Sequence, residues 1–416
     1  IEQFFAGLYA HTDINYDPMS AGRQMGGHFV THSLDENFNW KDLTKQKNSS
    51  SDISPTAAQM PRLLGLAQAS KVYKNIKGFD SSKFSNEGSE VAWGTIGNAS
   101  TSEGIFFETI NAAGVLQVPM VISVWDDDYG ISVHAKHQTT KENISKILEG
   151  FQRDEEDAGF EILNVKGWDY PALVNCYEKA GQIARLEHVP VLVHVEELTQ
   201  PQGHSTSGSH ERYKKTERLQ WEKKNDCNLK FRQWIISNNI ASEDELFDIE
   251  KGIKLKVKEG KTKAWNDFIN PIKVDADYII SLMHDAAKAS SQKSFIEKEI
   301  AKLKAIKEPI KKDILGVSRD VLKYLIHENT SEKDQLINWI NDYTNLGQLK
   351  FSTLLYSESD QSVKNIHSLP PTYSDPSEFV DGRIIIRDNF NQIFSKYQKV
   401  LIFGQDSGTI GDVNQD

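Results

Sequence analysis

Two short polar stretches carry the residue types best suited to chemistry. Residues 97–104 read Gly-Asn-Ala-Ser-Thr-Ser-Glu-Gly, and residues 125–132 contain three consecutive aspartates followed by Tyr129. The Asn98 amide, the Asp127 carboxylate and the Tyr129 backbone carbonyl are hard oxygen donors, which Mg²⁺ prefers. Adjacent aspartates more often form a solvated turn, but this turn closes an apolar run, and that position favours a site.

The turn at Gly97, Asn98 and Ala99 has small residues and leads into a helical pattern. Unpaired backbone N–H groups at the positive end of a helix suit an anion such as a pyrophosphate. The stretch is neither a Walker motif nor Gly-x-Gly-x-x-Gly, so it indicates neither a nucleoside triphosphate nor a dinucleotide. Taken alone, it fits an ordinary strand-to-helix turn equally well.

The segments around these stretches predict a parallel crossover unit. Residues 90–96 favour a strand, residues 105–117 have a helical pattern capped at Ser102, and residues 118–124 form an apolar run. In an open α/β sheet, ligands bind beyond the carboxyl ends of the strands. We therefore expect both polar stretches at one ligand-binding edge.

The alternation of strands and helices extends beyond this unit. Ser54 and Pro55 predict a helix start, with Met60 and Leu63 on the apolar side of that helix. The further elements expected are a helix over 141–155, a strand over 160–165, a helix over 170–186 and a strand over 189–195. This pattern predicts an α/β fold with a doubly wound parallel sheet covered on both faces. The polar loop 196–210 would bring a third strand end to the same edge.

The second half of the chain has a different character. Residues 213–370 are lysine-rich and mostly helical in pattern, and their basic runs are interleaved with acidic residues, which favours solvated helix faces over a nucleic-acid site. A helix over 384–397 and a buried strand over 399–403 predict the start of a second α/β module. We accordingly divide the chain into domains 1–212, 213–370 and 371–416. Both ends look cut, so we expect a piece of a longer protein.

The composition limits the classes of function. The chain has 416 residues, of which 26% are charged and 38% apolar, as in globular proteins. A net charge of −11 argues against nucleic acid as the main partner, and no apolar run is long enough for a membrane span. Cys176 and Cys227 have no metal-site spacing, so we expect a reducing, cytoplasmic location.

The histidines divide into two groups. Five of them show no ligand spacing and are expected at the surface or in local hydrogen bonds: His28, His32, His134, His137 and His194. His204 differs because its loop follows an apolar strand, and we favour a functional role for it.

Together the motifs resemble those of the thiamine-diphosphate-dependent E1 components of 2-oxo acid dehydrogenases. Residues 97–104 resemble that family's Gly-Asp-Gly-x-x-Ser-Glu-Gly, and residues 126–132 resemble its Asn-Asn-x-Tyr-x-Ile-Ser. Residues 20–25 and 53–59 resemble signatures of the branched-chain type, and residues 203–207 resemble a loop that closes over the cofactor. The resemblance covers most of residues 1–235. Residues 380–416 look like the opening of the β subunit, which implies that α and β are fused.

The resemblance also implies roles for individual residues. Asn98, Asp127 and the Tyr129 carbonyl would hold magnesium, and His204 would reach the diphosphate or the reacting centre as a catalytic residue. The residues implied to bind thiamine diphosphate are Ser54, Thr56, Gly97, Asn98, Ala99, Trp125, Asp127, Ile131 and His204. Ser205 lies in a loop that is phosphorylated in some relatives.

Several positions depart from the family pattern. The acid and the amide of the metal site are exchanged, with the amide at Asn98 and the acid at Asp127, so a single carboxylate is retained. Trp125 stands where the family often has Arg, which removes a charged phosphate contact. Ile53 and Ala58 lack the hydroxyl groups that bind a monovalent cation in some relatives. The glutamate that activates the cofactor would lie beyond Asp416, and a Tyr-Arg pair that contacts it would lie before Ile1.

The resemblance implies an E1 component that decarboxylates a branched-chain 2-oxo acid and passes the acyl group to lipoyl groups on an E2 partner. A homodimer of α2β2-like organisation is expected, because the family's cofactor lies between two α/β units. Two alternatives stay open. One is a pyruvate or acetoin dehydrogenase E1 of the same fold, and the other is a non-catalytic scaffold that docks a partner.

Overall fold

The computed structural model describes residues 1–23, 30–35, 37, 39–51, 53–78, 80–204, 209–352, 357, 359–360, 362–404 and 407. The chain forms two compact units. One combines Ile1–Val30 with Glu243–Pro370, and the other combines Thr31–Ser242 with Pro371–Asp416. None of the described helices combines the length and the apolar composition that crossing a bilayer requires. The domain boundaries expected from the sequence stay a prediction.

The unit that contains both polar stretches is built on a parallel sheet. Its four strands are β1 (Ala92–Gly97), β2 (Met120–Trp125), β5 (Glu161–Lys166) and β6 (Val191–Glu196), in the order β1-β2-β6-β5. Two short antiparallel strands, β3 (Tyr129–Gly130) and β4 (Val133–His134), form a separate hairpin. The helices of this unit are α2 (Gln59–Asn75), α3 (Gly104–Leu116), α4 (Ile144–Ile147), α5 (Tyr170–Glu187), α6 (Thr216–Lys224), α7 (Cys227–Ser237) and α12 (Gly382–Lys396). The α/β class and the crossover from β1 through α3 to β2 are therefore confirmed.

Side chains alternate between two cores along the central strands. Met120, Ile122 and Val124 join the core with α2 and α3, whereas Val191 and Val193 join the core with α5. This alternation follows from the period of two along a strand. The strands are apolar on both sides because both faces are covered by helices.

Local signals explain why α5 begins and ends where it does. The Asp169 carboxylate accepts a hydrogen bond from the Ala172 N–H (3.1 Å), and Pro171 lies in the first turn, where its missing N–H is not needed. The helix ends at His188, which adopts a left-handed conformation with φ of 57°. Both bounds agree with the expected helix over 170–186.

Three sequence expectations are wrong. The helix expected from Ser54 begins at Gln59, because residues 55–58 form turns and Ala57 has a φ of +62°. The helix expected over 141–155 is broken into short helical turns, of which only Ile144–Ile147 is α-helical. Lys141 and Glu142 have positive φ values, and the Asn143 side chain caps a new turn. The strand expected over 399–403 is absent from the described part of that segment, where Val400, Leu401, Ile402 and Phe403 are exposed.

The other unit is helical. It contains α1 (Glu2–Leu8), α8 (Glu243–Ala289), α9 (Lys293–Ala305), α10 (Lys311–Tyr324) and α11 (Ser331–Ser352). Its core is lined by aliphatic side chains of α8 to α11, including Ile279, Met283, Ile300 and Leu336. The basic face around residues 251–263 is exposed apart from Gly260, as expected for a solvated helix face.

Candidate functional site

The carboxyl ends of β1, β2 and β6 meet at one edge of the sheet. The Asn98 N–H donates to the Trp125 carbonyl (3.1 Å), and the Asp126 N–H donates to the Val195 carbonyl (2.9 Å). A Cβ placed on Gly130 would lie 2.6 Å from the Cβ of Ala99, so the two polar turns pack directly against each other. The expectation that these polar stretches share one edge is confirmed.

The turn at 97–104 is closed by hydrogen bonds among its own residues. The Asn98 carbonyl accepts hydrogen bonds from the Thr101 N–H (3.2 Å) and the Thr101 hydroxyl (2.6 Å), which closes a 3₁₀ turn over Ala99–Ser102. Helix α3 then begins at Gly104, and its positive end faces this edge. The expected cap at Ser102 is wrong, because the N-cap is Glu103 and the Ser102 hydroxyl donates to the Gln138 carbonyl (3.2 Å).

Two of the three adjacent aspartates of the second turn have side-chain partners from other elements. Asp126 is only 7% exposed, and its Oδ2 lies 2.9 Å from Nε2 of His194 on β6. Asp128 forms an ion pair with Arg218 on α6. Asp127 differs from both: its Oδ1 accepts the Tyr129 N–H (3.1 Å). The turn is therefore not a simple solvated one.

Burial raises the pKa of Asp127 above its ordinary value. The Tyr129 N–H and the positive charges of Lys214 and Arg218 act in the opposite direction, while the Asp126 charge adds to the rise. A partly buried carboxylate with a raised pKa and no ion pair among the described residues is suited to meet a cation from outside the chain.

The Tyr129 carbonyl is directed by the β3–β4 hairpin. The Ala135 N–H donates to the Asp128 carbonyl (2.8 Å), and Tyr129 is paired with His134. In an antiparallel ladder, residue pairs joined by backbone hydrogen bonds alternate with pairs that are not joined. Asp128 and Ala135 are a joined pair, so the next pair, Tyr129 and His134, is not. The N–H and carbonyl of Tyr129 therefore both face away from β4. Because that N–H reaches Asp127, the carbonyl lies on the side of the Asp127 carboxylate.

Three groups of the two turns are oxygen donors of the types that Mg²⁺ takes. They comprise one carboxylate at Asp127, one backbone carbonyl at Tyr129 and the amide of Asn98, a residue that is 6% exposed. Mg²⁺ is commonly bound by few protein oxygens, with phosphate oxygens and water completing its shell. Among the described residues, no cluster of three or more His, Cys, Asp or Glu side chains is arranged to hold a metal. A site here would therefore depend on the amide and the carbonyl.

Helix α6 and the residues before it line one side of the acidic turn. The Lys214 ammonium lies 4.8 Å from the centre of the Tyr129 ring and pairs with Glu222 at 2.7 Å. Arg218 donates to the Asp127 carbonyl (2.9 Å) and to Glu222 (2.9 Å). Our sequence reasoning missed these partners. The only local signal for them was the spacing of four between Arg218 and Glu222 on one helix.

Four other candidate residues are exposed at the surface. Trp125 is 52% exposed, and its indole N–H donates to the Ser123 hydroxyl (2.9 Å). Ile131 is 59% exposed. Ser54 and Thr56 are exposed, and no hydrogen bond among the described residues joins them to either turn.

The loop after β6 comes near the acidic turn through Gly203 and Tyr213. His204 is exposed, and Gly203 has a φ of +73°. A Cβ on Gly203 would lie 2.9 Å from the hydroxyl of Tyr213, whose ring centre is 5.8 Å from that of Tyr129. Ser205 lies outside the described residues.

His194 is the second feature that our sequence reasoning missed. It was expected at the surface or in local hydrogen bonds, and it is fully buried, with bonds to Asp126 and Ser145. A signal was present, because His194 interrupts an otherwise apolar strand. A polar ring at such a position requires a buried partner.

The chain has a parallel α/β sheet with an acidic turn and a helix end at its carboxyl edge, the location at which open α/β proteins bind ligands. Comparison with known families makes the assignment specific. The family model described as dehydrogenase E1 component matches residues 21–273, which is more than half of the chain. The chain belongs to the dehydrogenase E1 component family.

Curated relatives of two kinds are similar to this chain. The 2-oxoisovalerate dehydrogenase subunit alpha 1, mitochondrial, of Arabidopsis thaliana is 28% identical over 226 residues, 54% of this chain and 40% of that protein. The pyruvate dehydrogenase E1 component subunit alpha of Porphyra purpurea is 30% identical over 164 residues, 39% of this chain and 45% of that protein. The 2-oxoisovalerate dehydrogenase subunit alpha of Bacillus subtilis (strain 168) is 26% identical over 229 residues, 55% of this chain and 59% of that protein. The chain thus spans about half the length of these relatives.

Proposed function

We propose that this protein is the E1 component of a 2-oxo acid dehydrogenase complex that uses thiamine diphosphate and Mg²⁺. Membership of the family supports the proposal. The observation that most supports it is the direct contact between the turn at 97–104 and the turn at 125–132. There the Asn98 N–H bonds the Trp125 carbonyl, and Gly130 packs against Ala99.

The chain's own residues would hold the cofactor by its phosphates. Gly97, Asn98 and Ala99 would lie along the diphosphate at the positive end of α3, and Asn98, Asp127 and the Tyr129 carbonyl would share the metal with the phosphate oxygens. An added Cβ at Gly97 meets only the Ser100 hydroxyl, at 4.0 Å, so a ligand could approach the backbone there. When bound, the cofactor supplies the electron sink for loss of carbon dioxide from a 2-oxo acid.

The remaining candidate residues would complete the cofactor site. Ser54 and Thr56 would meet the aminopyrimidine end, and Trp125 and Ile131 would offer apolar surface at the rim. His204 would act as the catalytic residue near the diphosphate or the reacting centre. Its exposure and the neighbouring Gly203 suit a loop that meets ligand.

Several further features belong to the same proposal. The substrate is a branched-chain 2-oxo acid, with pyruvate as the alternative suggested by relatives of both names. The acyl group passes to lipoyl groups of an E2 partner, and the protein is a homodimer of α2β2-like organisation. We also propose a doubly wound first domain over 1–212, a helical linker over 213–370 and a fused second module from 371. A cytoplasmic location is consistent with the free thiols of Cys176 and Cys227.

Calorimetric titration of the full-length protein with thiamine diphosphate and Mg²⁺ tests the proposal. We expect heat of binding with both present and none in Asp127→Ala. A control variant, Glu108→Ala, changes an exposed carboxylate on α3 and should bind as the wild type does. Absence of wild-type binding at millimolar cofactor would contradict the proposal and leave a non-catalytic scaffold as the better description.

The substrate class requires a separate assay. Full-length protein loaded with cofactor is given a panel of branched-chain 2-oxo acids and pyruvate together with an artificial electron acceptor. The branched-chain proposal predicts the highest kcat/KM for the branched substrates. Equal values for pyruvate would reject that specificity without rejecting the E1 assignment.

A further inference from the structure

A chain of hydrogen bonds, buried on both sides of His194 and part-buried at Asn164, runs beneath the acidic turn. It begins at Asn164 on the edge strand β5, whose side-chain amide donates to the Ser145 hydroxyl (2.8 Å). Ser145 is 2.5 Å from Nδ1 of His194, and Nε2 of His194 is 2.9 Å from the Asp126 carboxylate. His194 is fully buried, and Ser145 and Asp126 are each 7% exposed. Three side chains from separate segments are thus linked in series to one carboxylate, that of Asp126.

Asp126 connects this chain of hydrogen bonds to the acidic turn and to the loop that follows β6. Its Oδ1 accepts the Asp128 N–H (2.8 Å), which fixes the turn around Asp127. Its backbone N–H bonds the Val195 carbonyl, and its carbonyl accepts the Leu198 N–H (2.9 Å) at the start of the loop that leads to His204. A displacement of Asp126 would therefore disturb the turn and the loop together.

The hydrogen-bond directions are mutually consistent. With the proton of the neutral His194 ring assigned to Nε2, Asn164 donates to Ser145, the Ser145 hydroxyl donates to Nδ1 of His194, and Nε2–H donates to Asp126. The hydroxyl has a second, longer acceptor in the side-chain carbonyl of Asn143 (3.1 Å), and Glu196 lies 3.8 Å from Nδ1. The bond on one ring nitrogen selects the proton position on the other. Removing the ring would leave a buried carboxylate without its donor, which is unfavourable.

We propose that His194 is a positioning residue that holds Asp126 and thereby the geometry of Asp127 and the Tyr129 carbonyl toward the metal. This inference rests on the proposed function, because it assumes that these oxygens bind a cation. His194 contacts neither the cation nor the cofactor in this role. Outer partners of metal ligands commonly change metal affinity by about 10- to 100-fold.

The test measures Mn²⁺ binding to the full-length protein with thiamine diphosphate, by electron paramagnetic resonance, since Mn²⁺ takes the same oxygen ligands as Mg²⁺. His194→Leu removes the donor and should weaken Mn²⁺ binding by about 10- to 100-fold. His194→Gln keeps an N–H donor and should recover most of the affinity.

His188→Gln provides a matched control. His188 is another buried histidine, just before the opposite end of β6, where its Nε2 lies 3.2 Å from the Gly88 carbonyl. The control should leave the dissociation constant for Mn²⁺ unchanged even if it lowers the thermal midpoint. Hydrogen exchange of the Asp128 amide gives a second readout, and it should quicken only when the donor to Asp126 is lost.

The outcomes separate the two proposals. A wild-type protein that binds no Mn²⁺ overturns the proposed function and the positioning role with it. A wild type that binds, with His194→Leu binding equally well, overturns the positioning role alone. Equal loss in His194→Leu and His188→Gln also overturns it, because the effect is then general destabilisation. If His194→Leu does not fold, Ser145→Ala decides: a several-fold weaker affinity supports the role and an unchanged affinity refutes it.

Discussion

The two turns at the ligand-binding edge are stabilised in different ways. The turn at 97–104 closes on itself, with Thr101 bonding the carbonyl of Asn98 three residues before it. The turn at 125–132 is held from a distance, by His194 at a separation of 68 residues and by Arg218 at a separation of 90. The first turn is closed mainly by bonds among its own residues, and the second needs partners from distant elements.

This difference follows from charge. Residues 98–102 carry no ionisable side chain, so local hydrogen bonds satisfy their polar groups. Three adjacent carboxylates repel one another, and a compact turn of this kind requires cations or donors beside it. Here Asp126 and Asp128 have such partners, and Asp127 has no ion pair among the described residues.

Replacing Glu222 gives the largest expected loss of stability. Glu222 pairs with Lys214 and Arg218, the two residues through which α6 and the segment before it contact the acidic turn. In Glu222→Leu the fully buried Lys214 ammonium loses its carboxylate, which should lower the free energy of unfolding by about 3 to 5 kcal/mol. Denaturant unfolding measures the change. Glu217→Leu on the exposed face of α6 should stay within about 0.5 kcal/mol of wild type. An equally small loss in Glu222→Leu would show that the second turn does not depend on this helix.

The next largest effect is on metal affinity, and it tests the exchange of acid and amide between Asn98 and Asp127. Asp127→Asn removes the only proposed carboxylate ligand, and the affinity for Mn²⁺ should fall by at least about 100-fold, beyond the range for outer partners. The double variant Asn98→Asp/Asp127→Asn restores one carboxylate in the other turn and should recover much of the affinity. A double variant as weak as the single one would show that the two turns do not share a metal.

The same Asp127→Asn variant should not destabilise the metal-free protein. Burial raises the pKa of Asp127, so the folded state keeps the proton to higher pH than the unfolded state does. The stabilising contribution of the protonated acid is present at low pH and is lost as pH rises through the folded pKa. At neutral pH the charged carboxylate therefore opposes folding, and the amide should be neutral or slightly stabilising. A clear loss of metal-free stability at neutral pH would contradict this account.

The same contrast between local and distant contacts explains what was predictable from the sequence. The crossover from β1 to β2 and the bounds of α5 follow from apolar periodicity and from caps such as Asp169, which act within a few residues. The expected gathering of polar loops at one edge follows from the parallel topology alone. The partners of Asp126 and Asp128 were not predictable in this way, because β6 and α6 are far along the chain.

The errors in the helices have a related cause. Ile144 and Leu148 are four residues apart, on one face of the helix expected over 141–155, and both are buried. The apolar pattern thus identified the buried face correctly but not the helix length, since positive φ at Lys141 and Glu142 interrupts the helix. In residues 399–403 an apolar run was taken for a strand, although a strand also needs a hydrogen-bonded neighbour.

Gly130→Ala tests the direct contact between the turns. The added methyl group would lie 2.6 Å from the Cβ of Ala99 and 2.5 Å from the side-chain oxygen of Gln138. Gln138 can move, but Ala99 is fixed by its turn, so we expect a loss of about 1 to 3 kcal/mol in the free energy of unfolding. Ala99→Gly in the same protein should restore most of it. Failure of this rescue would place the strain elsewhere.

Ser102→Ala should have the smallest effect on the free energy of unfolding. It tests whether Ser102 caps α3, as expected from the sequence, or bonds the Gln138 carbonyl, as in the structure. A serine that caps a helix contributes about 1 kcal/mol, whereas the exposed bond from Ser102 to the Gln138 carbonyl should contribute about 0.5 kcal/mol or less. Denaturant unfolding with Ser100→Ala as a neighbouring control resolves the two values. A loss near 1 kcal/mol confined to Ser102→Ala would mean that this hydroxyl does cap α3. The segment 97–104 would then depend on a capping side chain in addition to the bonds of Thr101, and its contrast with the acidic turn would be weaker.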